Sequence, residues 1–118
     1  MMTTQERYSL ITQNTEEVLT PEDLKEFLDK NYEMKHYIGF EISGYVHVGH
    51  FMSALVIKDL MNLGVKCIIW LADWHTWINN KLDGTKETAA KIGKGYFIEA
   101  MKACLLAVGA DPEKVEFR

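Results

Sequence analysis

The chain has 118 residues, enough for one domain with a buried core, and its 47% hydrophobic and 25% charged residues with only two prolines exclude a disordered or collagen-like polypeptide. Its formal net charge of −4 argues against binding a polyanion over the whole surface, so any contact with nucleic acid would be local. No run of about 18 uncharged apolar residues occurs, and the first residues lack the layout of a signal peptide. We therefore expect a soluble, cytoplasmic protein with no membrane partner.

The first 35 residues are predicted to form a separate helical segment of two short helices. Thr20 is a suitable N-cap for the second helix, and Pro21 suits its first position. Leu24, Phe27 and Leu28 would then form one apolar face. No residue in this segment indicates chemistry.

A strand is predicted from His36 to Glu41, and Ser43-Gly44 ends it. The next helix, about residues 48–63, is polar at one arc only, so most of its circumference should be buried. Gly64 is a natural end for this helix. Residues 65–73 form a nearly continuous apolar strand, which is typical of the interior of a parallel sheet and would bury Cys67 as a reduced thiol.

A long helix is predicted from about residue 85 to 108, and it would bury Cys104 as a second reduced thiol. Its apolar seam is predicted at six positions: Ala89, Ile92, Tyr96, Ala100, Ala103 and Ala107. A third strand follows at 115–118. The order β-α-β-α-β after short N-terminal helices indicates an α/β fold, the first portion of a Rossmann-like doubly wound parallel sheet over residues 36–118. Ligands of such sheets bind beyond the carboxyl ends of the strands, where residues 41–50 and 73–79 lie.

The sequence His47-Val48-Gly49-His50 stands at the turn from the first strand into a helix. Free backbone N–H groups and the helix dipole favour anions at such a turn, and Gly49 leaves room for a flat base while the imidazoles reach phosphates. The motif therefore predicts nucleotide activation. The alternatives are that His47 only caps the helix and His50 lies on the surface. A metal site lacks a third ligand at suitable spacing, so no bound metal is predicted.

Two further positions lie near the strand ends. Asp73 and His75 follow the second strand, where Asp73 would orient His75 or receive an ammonium group; capping of the short following helix is an equal alternative for Asp73. Tyr37 lies within a strand, and spacing alone favours core packing for it. The tryptophans are expected to form walls, and the lysines of residues 81–102 a solvated face.

These residues together resemble a known family. The run from Tyr37 to Gly44, followed by His47 to His50, resembles the opening of a class I aminoacyl-tRNA synthetase with its HIGH-type signature. Residues 71–79, Leu-Ala-Asp-Trp-His-Thr-Trp-Ile-Asn, are similar to the second-strand element of archaeal and eukaryotic tyrosyl-tRNA synthetases. The resemblance covers about residues 8–118, with tryptophanyl-tRNA synthetases as the nearest relatives.

The resemblance implies that tyrosine attacks the α-phosphate of ATP, which carries Mg²⁺, and that tRNA(Tyr) then takes the tyrosyl group. Gly49 would underlie the adenine, and the catalytic residues would be His47 and His50, which stabilise phosphate charge. The implied ATP-binding residues are Glu41, Gly44, His47, Gly49 and His50. The implied tyrosine-binding residues are Tyr37, Gly39, Glu41, Ala72, Asp73 and His75. A homodimer is expected for the intact enzyme.

The chain contains no Lys-Met-Ser-Lys-Ser signature, which this family also uses around the phosphates. We therefore expect the first portion of a catalytic domain, with limited activity by itself. Two alternatives remain. One is a nucleotidyltransferase with a His-x-Gly-His turn, in which the first strand ends closer to the histidines than Gly39-Phe40-Glu41 does here. The other is a catalytically silent nucleotide- or tRNA-binding relative.

Overall fold

The computed structural model describes residues 1–118. Two helices, α1 (Thr4–Thr12) and α2 (Pro21–Asp29), precede three parallel strands: β1 (Lys35–Phe40), β2 (Lys66–Leu71) and β3 (Glu116–Phe117). Helix α3 (Val48–Asn62) joins β1 to β2. The connection from β2 to β3 contains, in chain order, α4 (Asp73–Ile78), α5 (Lys86–Ile92), a π-helical turn (Gly93–Phe97), α6 (Ile98–Ala107) and a 3₁₀ turn (Pro112–Lys114).

The sheet has the order β1-β2-β3, and all its pairs are parallel. The α/β Rossmann-like prediction is confirmed for this portion of the fold. Because the strand order advances in one direction, right-handed crossovers bring α3 and α6 to the same face of the sheet, where they pack against each other. The core lies between that face and the two helices and includes Ile57, Ile69 and Met101.

The second face of the sheet is open, contrary to the prediction that β2 is buried on both sides. Trp70 of β2 is 50% exposed and Tyr37 of β1 is 76% exposed. The expectation that Tyr37 packs in the core is therefore wrong. An apolar run predicted a central strand correctly, since β2 pairs on both edges, but it does not reveal what covers each face.

Helix α3 buries less than predicted. Ala54, Ile57 and Leu60 form its buried stripe, while Val48 and Met52 near its N-terminus are 79% and 54% exposed. The exposed apolar residues belong to the end of the helix that carries the histidine motif. They are therefore available to whatever binds beside that motif.

The helix predicted for residues 85–108 is interrupted by the π turn, and the predicted seam is only partly correct. Ala89 is buried and Ile92 packs against the core, whereas Tyr96, Ala103 and Ala107 are exposed. The main buried stripe recurs at every fourth position, at Ala89, Gly93, Phe97, Met101 and Leu105, and Cys104 is buried beside it as predicted. An α-helix has 3.6 residues per turn, so residues four positions apart gradually rotate around the helix axis. The π turn has more residues per turn, and it rotates the later residues back onto the same face. Tyr96 is 41% exposed, although a regular 3.6-residue period would place it in the buried seam.

The N-terminal helices pack onto the α/β portion. Leu28 of α2 is fully buried, and Gln13 Nε2 donates a hydrogen bond to Asp59 Oδ2 of α3 at 2.7 Å. Thr20 is the N-cap residue of α2 as predicted, but its side chain makes no capping hydrogen bond, and Phe27 is 45% exposed. A separate segment ending at residue 35 remains a prediction. None of the helices has the length and apolar character needed to cross a membrane.

Candidate active site

Two connections leave the same edge of the sheet, at the carboxyl ends of β1 and β2. The strands are in register there, with Phe40 opposite Leu71, and the Ala72 N–H donates to the Phe40 carbonyl at 2.9 Å. The first loop, residues 41–47, leads into α3. The second strand leads directly into α4, so the first loop and α4 start from adjacent strands.

A buried threonine joins these two connections. The hydroxyl of Thr76 accepts a hydrogen bond from the Ile42 N–H at 2.8 Å and donates to the Ala72 carbonyl at 2.9 Å. Thr76 and Ile42 are both fully buried. Since the two partners use both the donor and an acceptor of the hydroxyl, the buried polar group is satisfied. Sequence reasoning missed this role, because the partners are 34 residues apart.

A cavity of about 1010 Å³ opens at this edge of the sheet. Its lining includes five of the six residues predicted to bind tyrosine: Tyr37, Gly39, Ala72, Asp73 and His75. The remaining wall includes Trp70, Gly93 and Lys94, of which Trp70 confirms the wall prediction and Lys94 was assigned only to a solvated face. The volume is of the order of small-molecule sites, which are concave and mostly apolar with few polar groups.

Glu41, the sixth predicted residue, does not line this cavity. Its Oε1 accepts a hydrogen bond from Asn79 Nδ2 at 2.6 Å, so in this structure the carboxylate ties the first loop to the end of α4. Gly44 lies farther along the same loop, and an added Cβ there would meet nothing within 4 Å. The assignment of both residues to ATP remains a prediction.

The two histidines form a reciprocal cap at the start of α3. His47 Nδ1 accepts from the Gly49 N–H at 3.1 Å, and His50 Nδ1 accepts from the His47 N–H at 3.1 Å. The capping alternative for His47 is therefore confirmed as a feature of the fold. It also explains Gly49, because a Cβ at this position would lie 2.9 Å from His47 Cε1.

This cap leaves the outer nitrogen of each ring unused by the protein. An accepting Nδ1 carries no proton, so the hydrogen-bond network assigns the proton of each neutral imidazole to Nε2. Both Nε2–H groups are donors without a partner in the chain. Capping and anion binding are therefore compatible, because they use different atoms of the same rings.

His50 is half-buried between two phenylalanines, rather than a plain surface residue. Its ring centroid lies 5.4 Å from that of Phe40 and 5.5 Å from that of Phe97. Burial lowers the pKa of His50, and the electrostatic repulsion that would arise if both rings were protonated lowers it further. These effects favour the neutral imidazole, with its proton on Nε2.

Asp73 is the first residue of α4, whose N-cap is Ala72. Its Oδ1 accepts from the Trp74 N–H at 2.8 Å, so the capping alternative is only partly correct: the carboxylate binds a backbone N–H in the first turn from a position inside the helix. Lys86 Nζ lies 4.1 Å from the ring centroids of both Trp74 and Trp77, which gives this lysine a partner. No group of three or more potential metal-ligating side chains gathers anywhere in the chain.

Comparison with known proteins agrees with this arrangement. The family model of tRNA synthetases class I (W and Y) matches residues 29–118. The tyrosine–tRNA ligase of Thermococcus sibiricus is 51% identical over 104 residues, 87% of this chain and 28% of that protein. The tyrosine–tRNA ligase of Pyrococcus abyssi is 44% identical over 118 residues, 98% of this chain and 32% of that protein. The chain therefore belongs to the class I tRNA synthetases of the tryptophan and tyrosine family.

Solved structures give the same result. The crystal structure of tyrosyl-tRNA synthetase complexed with L-tyrosine from Pyrococcus horikoshii matches with a TM-score of 0.92 and 43% identity, over 98% of this chain and 32% of that chain. The Leishmania major tyrosyl-tRNA synthetase in complex with tyrosinol matches with a TM-score of 0.83 and 32% identity, over 99% of this chain and 17% of that chain. The chain spans a third or less of the length of these relatives.

Proposed function

We propose that the chain forms the N-terminal portion of the catalytic domain of a tyrosine–tRNA ligase, which activates tyrosine with ATP and transfers it to tRNA(Tyr). One observation carries the proposal: a cavity lined by Tyr37, Ala72 and His75 is also lined by Ile42, in the loop that leads to a helix start with two unpartnered imidazole N–H donors. The tyrosine-bound relative of Pyrococcus horikoshii supports the choice of amino acid.

The amino acid side of the proposed site is the cavity. Tyr37 would place its hydroxyl against the phenol of the substrate, while Gly39 and Ala72 leave space for the ring. Asp73 and His75 would bind polar groups of the amino acid. The exposure of Tyr37 supports this role, because a phenol that is 76% exposed is free to meet a ligand.

The phosphate side is the start of α3. In the proposed step, a carboxylate oxygen of tyrosine attacks the α-phosphorus of ATP, and the bond from that phosphorus to the bridging oxygen breaks to release pyrophosphate. Negative charge shifts over the phosphate oxygens during the step. The Nε2–H groups of His47 and His50 would donate to these oxygens, and the cap holds the rings in place before the reaction. Mg²⁺ would arrive with ATP as part of the substrate.

The second step and the assembly also belong to the proposal. The adenylate would pass its tyrosyl group to the 3′ end of tRNA(Tyr), and the intact enzyme would be a homodimer. A cytoplasmic location accompanies these substrates. Since this chain is a third or less as long as its relatives, the activity is proposed for the intact polypeptide that contains it.

The test is amino acid-dependent exchange of pyrophosphate into ATP, measured with the intact polypeptide and each amino acid in turn. We expect exchange with tyrosine and little with phenylalanine or tryptophan. Exchange that depends on tryptophan would indicate a tryptophan–tRNA ligase instead. Binding of ATP without any exchange would indicate a silent relative, and nucleotide transfer without an amino acid would indicate a nucleotidyltransferase.

A further inference from the structure

The π turn, residues 93–97, contacts the loop between β1 and α3 at two points and the first turn of α3 at a third. An added Cβ at Gly93 would lie 2.5 Å from Ile42 Cδ1, so the Ile42 side chain would have to shift to admit any larger residue. The hydroxyl oxygen of Tyr96 accepts a hydrogen bond from the Val46 N–H at 3.1 Å. Phe97, which is 1% exposed, packs edge-on against the His50 ring. These contacts come from a short segment with an unusual helical geometry, and such π turns are frequent at functional sites.

The Tyr96 contact bears directly on the histidines, through the backbone of Val46. The peptide unit before Val46 is held by the hydrogen bond to Tyr96, and the peptide unit after it is held by the bond from the His47 N–H to His50 Nδ1. Peptide units are planar, so fixing the units on both sides fixes the two backbone dihedrals of Val46. Those dihedrals set the direction in which His47 leaves the loop.

We propose that Tyr96 is a positioning residue for His47 and His50: its hydroxyl, by holding the Val46 N–H, keeps the two imidazoles in the geometry that serves adenylate formation. This inference rests on the proposed function for its kinetic consequence. Tyr96 itself touches no substrate in this proposal. It acts through the loop and therefore affects the rate of the chemical step more than the binding of tyrosine.

The chain offers a matched control for this hydroxyl. Tyr45 lies in the same loop, and its ring packs edge-on against that of Tyr96 with centroids 5.8 Å apart. The Tyr45 hydroxyl makes no hydrogen bond within the chain, and the residue is 85% exposed. Tyr96→Phe and Tyr45→Phe thus each delete one phenol oxygen from the same aromatic pair, and only the first deletion removes a bond to the loop.

The experiment compares single-turnover tyrosyl-adenylate formation in the intact polypeptide for the wild type and both variants. We expect Tyr96→Phe to slow the step by about 2- to 10-fold, as for the loss of one hydrogen bond, with the Kd for tyrosine and the melting temperature unchanged. Tyr45→Phe should match the wild type. In a His47→Asn background, Tyr96→Phe should cause little further loss, because its effect passes through the histidine pair.

Three results would overturn the inference: an unchanged rate in Tyr96→Phe, an equal loss in Tyr45→Phe, or a full additional loss in the His47→Asn background. A second measurement does not depend on the proposed function. With ¹⁵N-labelled histidine, Tyr96→Phe should shift the imidazole resonances of His47 and His50, and Tyr45→Phe should leave them in place. If the wild type forms no tyrosyl-adenylate, the proposed function fails, and unshifted resonances would separately refute the positioning role.

Discussion

The hydroxyl of Thr76 binds the Ile42 N–H at 2.8 Å, and this single contact joins the loop that precedes the histidine motif to the helix that follows β2. Both residues are fully buried, and the same hydroxyl donates to the Ala72 carbonyl. The two halves of the candidate site are therefore connected through a buried side chain, in addition to the exposed Glu41–Asn79 hydrogen bond. A substitution at Thr76 should therefore disturb both the loop after β1 and the start of α4.

Replacing Thr76 with valine should destabilise the intact polypeptide by about 1–3 kcal/mol, because the Ile42 N–H would remain buried without an acceptor. Valine keeps the shape of threonine, so little of the loss would come from packing. Thr76→Ser, which retains the hydroxyl, should recover most of the stability. Urea unfolding of the three proteins measures the difference, and equal stability of the valine and wild-type proteins would show that water satisfies this N–H.

The histidine pair has two roles that substitutions can separate. His47→Ala and His50→Ala should each slow adenylate formation by about 10²–10³-fold, as for loss of one preorganised donor, and should also remove part of the helix cap, at a cost of about 1 kcal/mol. His47→Asn and His50→Gln supply the side-chain acceptors found in ordinary capping boxes. These variants should regain the stability but not the rate.

Rapid-quench measurement of adenylate in a single turnover, together with thermal unfolding, distinguishes these effects. The important comparison is asparagine with alanine at residue 47. A return of the rate along with the stability in His47→Asn would mean that the imidazole matters only as a cap. Unequal recovery, with stability restored and the rate still low, is the expected outcome.

Acidification should destabilise the fold through two half-buried histidines, His36 and His50. Burial lowers the pKa of His36, whose Nδ1 has no hydrogen-bond partner, and the pKa of His50 is lowered as well. As the pH falls through about 6.5, the unfolded chain takes up protons that the folded chain resists, so the free energy of unfolding decreases. The loss continues until the pH passes the lowered pKa values of the folded state.

His36→Gln isolates one of these two histidines and leaves His50 in place. The urea midpoint of this variant should fall less steeply than that of the wild type when the pH is lowered from 7.5 to about 5. Above pH 7 the urea midpoints of the two proteins should differ by a constant amount, since His36 is neutral there in both the folded and the unfolded state. Parallel pH profiles over the entire range would show that His36 is protonated equally in both states.

The strands, their order along the chain and the position of the candidate site could be predicted from sequence, because each depends on local pattern. The apolar run of residues 66–71 and the breaks after both strands are visible without a structure. The histidines could also be found, since a strand, a glycine and a helix follow one another there. Resemblance to a family added the residues around the cavity, and five of them do line it.

What sequence could not show depends on distant partners or on irregular geometry. Thr76 and Tyr96 bind backbone groups 34 and 50 residues away, so no local spacing marks them. The π turn breaks the 3.6-residue period, which is why the predicted seam included Tyr96 and omitted Phe97. Glu41 pairs with Asn79 across the two connections, and only the folded chain brings them together.

The choice of tyrosine over phenylalanine tests the cavity through Tyr37. A site that hydrogen-bonds a substrate hydroxyl rejects the analogue lacking it, because its own polar groups would be left unpaired. If Tyr37 faces the substrate phenol, Tyr37→Phe removes one such group, and discrimination should fall by about 1–3 kcal/mol, or roughly 5- to 150-fold.

The measurement is the ratio of kcat/KM for tyrosine to that for phenylalanine in the intact polypeptide. The melting temperature of the variant is measured alongside, so that a change in this ratio can be separated from a loss of stability. An unchanged ratio would remove Tyr37 from the proposed tyrosine site, and a lowered ratio with normal stability would assign its hydroxyl to substrate recognition.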